Sequence, residues 1–190
     1  MKKPVGLIGG ISEIEGERLA ELASVVLPYY TIVELGSACG MSSCWLAYGS
    51  SIGHGAKIHC YDPWLWKPDD KDIFDRQIRE TGAEEFITVH QHISEEEGEL
   101  PSRVGFWFHD AEHSEEAMLH DYLLWRPQFA DVMQLAFHDW IAREKIGDEW
   151  VRMVPEQTHQ SFFDTKIRPE AHWSHESITD YLFTIERYAI

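Results

Sequence analysis

A chain of 190 residues, 44% hydrophobic and 13% aromatic, holds enough apolar surface for one sizeable core and too little for two. Its 33 acidic against 16 basic residues give a formal charge of -17, a field that repels polyanions and anionic bilayers and excludes nucleic acid and membranes as partners. Three cysteines, Cys39, Cys44 and Cys60, form no CxxC pair and cannot all be paired, which excludes a zinc finger and fits the reducing cytoplasm.

The opening, MKKPVGLIGGISEIEGE, has an apolar run too short for a signal peptide, and no later stretch reaches membrane-spanning length. Over 12–27, Ser12 is an N-cap with Glu15 three positions on, and Leu19, Leu22, Ala23 and Val26 share one face before Pro28, so an amphipathic helix is predicted. Short β-rich runs then alternate with helical periods. The runs Thr31–Leu35, Lys57–Tyr61, Phe86–His90, Val104–Phe108 and Val132–Phe137 are predicted strands. Met41–Tyr48, Asp70–Thr81 and Ser114–Trp125 are the helices between them. This order predicts a single α/β domain over 1–190, a doubly wound, mostly parallel Rossmann-like sheet with helices on both faces. Beyond Trp140 the pattern predicts a helix over 142–154 and strands within 161–168 and 179–189.

Three glycine signals compete for a ligand. VGLIGGI at 5–11 has only four residues before Gly6 and the wrong spacing for a dinucleotide turn, and GSSIGHGAK at 49–57 lacks the GKS or GKT ending of a P-loop. The third, Glu34-Leu35-Gly36-Ser37-Ala38-Cys39-Gly40, follows a strand and opens a helix. Glycine there lets backbone amides approach a ligand, and the helix N-terminus favours its anionic group. The next strand ends Cys60-Tyr61-Asp62, placing a carboxylate beside that loop where it can accept both hydroxyls of a ribose. Together they imply a nucleoside-containing ligand.

The stretches ISEIEGERLAELA, TIVELGSACGMSS, IHCYDPW, FWFHDAEHSEEAMLHDYLLWRP and AFHDW, in this order over about 9–140, resemble the class I S-adenosylmethionine-dependent methyltransferases. More narrowly they are similar to the branch of macrocin-type sugar O-methyltransferases and cephalosporin-hydroxylase-like proteins. The resemblance implies that Gly36, Ser37 and Gly40 hold the methionine part of the cofactor, that Glu34 positions it, and that Asp62 binds its ribose. It also implies that His92, Ile93 and Ser94 border the adenine and that Asp110 lies against the cofactor. The family often has paired glycines before its fifth strand, where this chain has Phe129-Ala130-Asp131 and must turn differently.

Asp110 and His113 follow the fourth strand, and His138 and Asp139 follow the fifth. Neighbouring parallel strands bring these loops to one sheet edge, an arrangement that suits a divalent metal. The resemblance implies metal ligation by Asp110, His138 and Asp139, with His113 as general base. One of those positions is histidine where the branch has an acid. Magnesium prefers oxygen ligands and imidazole suits manganese, iron or zinc, so the metal's identity stays open. The plain alternatives are that Asp110 caps the following helix, His113 is a surface residue, and His138 and Asp139 satisfy loop amides. Trp64, Trp66 and Trp140 follow strand ends and Trp107 lies within one, so they divide between packing and an apolar acceptor. His159, His172 and His175 are too irregularly spaced for a second metal site.

The resulting expectation is methyl transfer from S-adenosylmethionine to a hydroxyl of a small-molecule acceptor, assisted by Mg or Mn. Self-association into a homo-oligomer stays open. A metal-dependent, non-methylating enzyme of the same fold and a catalytically silent cofactor-binding subunit are the alternatives.

Overall fold

The Ser12 Oγ accepts the Glu15 amide at 3.3 Å, and the Glu15 carboxylate accepts the Ser12 amide at 2.7 Å. This reciprocal cap starts helix α1, Glu13–Ser24, in the computed structural model. The structure describes residues 1–91, 100–139, 143–146, 149–152, 163–167, 173–179 and 182–187. The predicted alternation follows: β1 Thr31–Leu35, α2 Met41–Ile52, β2 Lys57–Tyr61, α3 Asp70–Thr81, β3 Ile87–His90, β4 Val104–His109, α4 Glu115–Trp125 and β5 Phe129–Phe137. Strands β1 and β2 and helix α3 keep the bounds their patterns predict.

The seven-stranded sheet runs β3-β2-β1-β4-β5-β9-β8, where β8 is Trp173–Thr179 and β9 Leu182–Arg187. Strands β1 to β5 pair in parallel, β9 adds antiparallel to β5, and β8 adds antiparallel to β9. Strand order reverses between β1 and β4, and the crevice at their carboxyl ends is where such a sheet takes a ligand. Alternate side chains face opposite layers. Ile32, Ile58, Cys60, Phe106 and Phe108 pack under α1, α2 and α3, while Val33, Leu35, Trp107, Leu135 and Phe137 meet Met118, Tyr122 and Trp125 of α4. Among the described residues no helix is long and apolar enough to cross a membrane.

The later chain departs from its prediction. The segment expected to be helical carries β6, Arg143–Ile146, and β7, Glu149–Arg152, an antiparallel pair forming a separate two-stranded sheet. The sequence between them, Gly147-Asp148, is of the type that connects two-residue hairpins, a signal that outweighs the helical period. The strand expected within 161–168 is a single π-helical turn, Phe163–Ile167. Phe163 and Ile167, four apart, are both buried, and Phe163 stacks edge-on against Phe183 of β9. The strand expected in 179–189 is β9, and the polar run WSHESIT, which gives no strand signal, forms its edge partner β8. Strand β5 begins at Phe129, three residues before the predicted start. A 3-10 turn at Arg126–Gln128, with Pro127 early in it, leads straight from α4 into extended backbone, so no glycine pair is needed.

Candidate active site

The loop from β1 to α2 has nearly every backbone group accounted for. The Gly36 amide donates to Tyr61 O at 2.9 Å and the Gly40 amide to Ser37 O at 2.7 Å. The Ser37 and Ala38 amides donate to Asp62 Oδ2 at 3.0 and 2.8 Å, while Asp62 Oδ1 accepts the Trp64 amide at 2.7 Å. The Trp64 indole closes the loop by donating to Ala38 O at 2.8 Å. Asp62 is therefore beside the glycine loop, as the sequence predicts, and also holds it.

Gly36 sits at φ +82°, and a Cβ there would collide with the carbonyl oxygen of Asp110. The Asp110 amide donates to Leu35 O at 2.8 Å, and the His138 amide to His109 O at 3.0 Å. These bonds bring the ends of β1, β4 and β5 into one surface. Glu34 lies beneath the loop, fully buried. Its Oε2 accepts Ser37 Oγ at 2.8 Å and also Ser43 Oγ, and its Oε1 has no hydrogen-bond partner among the described residues. Burial raises the Glu34 carboxyl above its ordinary range, against the pull of the surrounding serine hydroxyls.

Asp110, His113 and Asp139 each offer a ligand atom, and these three atoms lie within 4.8 Å of one another. The His113 Nε2 stands 3.8 Å from Asp110 Oδ1 and 3.7 Å from Asp139 Oδ2. Two ligands about 2.1 Å from one ion are about 3 Å apart when cis and about 4.2 Å when trans, so these spacings match donors around a shared cation better than direct hydrogen bonds. Desolvation lowers the His113 pKa, outweighing the opposite pull of Asp110 and Asp139. Its imidazole is thus neutral near pH 7, with a lone pair for a proton or a metal.

His138, expected as a metal ligand, lies against the two aspartates of this cluster. Its Nδ1 donates to Asp110 Oδ1 at 3.1 Å, and its Nε2 stands 3.5 Å from Glu15 Oε1. His138 and Glu15 are both buried. Burial alone would lower the His138 pKa, but the bonds to Asp110 and Glu15 and the nearby charge of Asp139 push it up to about 10. The protonated ring lies between Asp110 and Glu15, and its Nδ1 also stands 3.5 Å from Asp139 Oδ1, so His138 braces both aspartates of the cluster.

Three of the four non-glycine residues with positive φ among the described residues are at this edge: Ala38, Trp64 and Asp139. Such backbone strain gathers where function needs a particular geometry. Sequence reading missed Glu15, which looked like an ordinary capping residue, and His109. The latter is buried at the end of β4, donates through Nε2 to Asp121 at 3.0 Å, and presents its ring edge-on to His113. Trp107 is core, Trp64 is buried against the loop, and Trp66 is 86% exposed. His92, Ile93, Ser94, Trp140, His159, His172 and the side chain of His175 lie outside the described residues. A cavity of about 550 Å³ between α1 and β5, lined by Leu22, Val26, Tyr30 and Met133, lies away from all these groups.

Residues 33–140, more than half the chain, match the family described as "Methyltransferase domain". The chain belongs to this methyltransferase family. No curated protein matches it. Solved structures share its class I, Rossmann-like fold. The O-methyltransferase of Bacillus cereus in complex with SAH is 16% identical with a TM-score of 0.67, over 94% of this chain and 82% of that one. TomG of Streptomyces achromogenes, an O-methyltransferase of tomaymycin synthesis in complex with SAM, is 13% identical with a TM-score of 0.64, over 95% and 82%. A SAM-dependent methyltransferase of Aquifex aeolicus is 15% identical with a TM-score of 0.61, over 92% and 89%. In this methyltransferase the glycine loop and the segments holding Asp110 and Asp139 lie together at the carboxyl edge of the parallel strands.

Proposed function

We propose that this methyltransferase binds S-adenosylmethionine over the Gly36–Gly40 loop and transfers its methyl group to a hydroxyl oxygen of a small-molecule acceptor. The observation that carries the reading is the convergence of Asp110, His113 and Asp139 beside a glycine loop packed directly on Asp110. Relatives of the same fold described with SAM or SAH support the cofactor.

The residues suit that cofactor. The buried Glu34 Oε1, with no partner among the described residues, is an acceptor for an ammonium group, and Asp62, taking three amides, keeps one acceptor direction for a ribose hydroxyl. When bound, S-adenosylmethionine supplies a methyl group made electrophilic by its sulfonium. The protein's tasks are alignment and proton removal. Gly36, Ser37 and Gly40 hold the methionine part, Asp110 forms the wall between cofactor and acceptor, and the neutral His113 takes the acceptor's hydroxyl proton at Nε2. Asp110 and Asp139 then steady the imidazolium that results.

A divalent cation, Mg or Mn, is part of the proposal, held by Asp110 and Asp139, where it would acidify and orient the hydroxyl. His138 acts as the brace of Asp110 instead of a ligand. A second reading makes His113 the third ligand, because its Nε2 completes the cluster. Cytoplasmic residence is also part of the proposal, supported by three buried cysteines that are all free.

Calorimetric titration of S-adenosylmethionine, with and without Mn, tests the cofactor, with Asp62→Ala as control. Micromolar binding lost in the variant upholds the reading, and no binding in either condition refutes it. Mn titration of His113→Ala separates the two roles of that residue: unchanged Mn affinity with lost turnover makes it the base, and loss of both makes it a ligand.

A further inference from the structure

Helix α3 buries Phe74, Gln77 and Ile78, so an amide stands where the helical period calls for an apolar side chain. Gln77 is 4% exposed, and a buried amide is tolerated only if its polar atoms are paired. Its Nε2 donates to Cys39 O at 2.7 Å and to Ile8 O at 2.9 Å, and its Oε1 accepts the Ile8 amide at 2.6 Å. The side-chain amide thus engages Ile8 in both directions, as the peptide group of a neighbouring strand would, while holding a carbonyl of the Gly36–Gly40 loop.

The segment before α1 is laid across the same corner. A Cβ on Gly9 would run into Met41, the first residue of α2, so the segment passes in contact with the start of that helix. Lys3 reaches back to Glu17 at 2.6 Å and lies over the Trp45 ring at 5.5 Å. Ile8 itself is 52% exposed, so its backbone, not its side chain, makes the attachment.

We infer that Gln77 is a positioning residue for the cofactor: by fixing the Cys39 carbonyl and the Ile8 peptide together, it couples docking of residues 5–11 to the conformation of the cofactor loop. Binding at the loop stabilises the docked segment, and removing the segment loosens the loop, since the coupling is reciprocal. The inference rests on S-adenosylmethionine binding at that loop.

The test measures SAH affinity by calorimetry for the parent, Gln77→Met and a variant lacking residues 1–8, and amide hydrogen exchange of residues 5–11 for the parent and Gln77→Met. Methionine matches the volume and helix propensity of glutamine and removes only the polar atoms. The expected result is a loss of about tenfold or more in SAH affinity for Gln77→Met, the scale of a buried carbonyl left without its donor. Removal of residues 1–8 should cost less, because the bond to Cys39 remains. In the parent, SAH slows exchange over 5–11, and in Gln77→Met it does not, a difference that a purely structural role for the residue would not produce. Should Gln77→Met fail to fold, the shortened variant decides the matter, and unchanged SAH affinity there overturns the coupling. SAH affinity of folded Gln77→Met within twofold of the parent, or exchange over 5–11 indifferent to SAH in the parent, also overturns it. A parent that binds no SAH overturns the cofactor reading together with this inference.

Discussion

The Oε1 of Glu15 and the Nε2 of His138 face each other 3.5 Å apart in the protein interior, joining the first turn of α1 to the end of β5. The same carboxylate closes the helix cap through its other oxygen. One side chain therefore starts a helix and holds the imidazole that braces Asp110.

Two substitutions separate these duties. Ser12→Ala removes only the hydroxyl of the cap and should cost about 1 kcal/mol. Glu15→Gln keeps an acceptor for the Ser12 amide but leaves the His138 imidazolium short of a counter-charge, which should cost about 3 kcal/mol. Urea unfolding of both variants checks the order, and equal losses would mean that the contact with His138 contributes nothing.

Cofactor and metal should be separable in the same way. Asp139→Asn is expected to lower Mn affinity by more than about tenfold while leaving S-adenosylmethionine affinity within about twofold. Asp62→Ala should do the reverse. Paired titrations of the two variants give the answer, and a common loss in both would merge the sites.

Gly36→Ala places a Cβ at φ +82° against the Asp110 carbonyl. A loss of about 3 kcal/mol or more in stability and the loss of cofactor binding are expected together. Thermal unfolding followed by a cofactor titration reads both, and a variant that binds normally would place the cofactor elsewhere.

Glu34 has its carboxyl raised by burial above the ordinary 4.5. Its unfolded form ionises first as pH rises, so its contribution to stability is complete below about pH 4.5 and is lost as pH climbs through the folded value. Glu34→Gln cannot ionise. It should therefore be more stable than the parent at pH 7.5, with the gap closing toward pH 4.5. Denaturation curves at several pH values show whether it does.

His59 carries the opposite sign. Burial lowers its pKa below 6.5, and its Nδ1 lies 2.9 Å from His90 Nε2. Here the unfolded chain binds the proton more readily, so this stability is present above pH 6.5 and lost as pH falls toward the folded value. His59→Gln should flatten the fall in stability below pH 6.5, and an unchanged slope would assign it to other groups.

Local pattern alone determined much of this protein. The alternation of TIVEL and KIHCY, the capping pair Ser12 and Glu15, and the period of Asp70–Thr81 each depend on neighbours within a few residues, and these elements formed where the sequence predicts them. The nearness of Asp62 to the glycine loop, and of Asp110 and His113 to His138 and Asp139, was legible too, because parallel strand order brings successive strand ends to one edge. Tertiary structure alone decided what sequence distance hides. Strand β9 is stabilised by pairing onto β5 some fifty residues away and β8 by pairing onto β9, and a polar run such as WSHESIT carries no period that announces such an edge. Which nitrogen of a histidine meets which carboxylate depends on side-chain direction as well as position. For that reason His138 became a brace, His113 joined the cluster of the two aspartates, and Glu15 and Gln77, ordinary residues in their own helices, proved to reach the site.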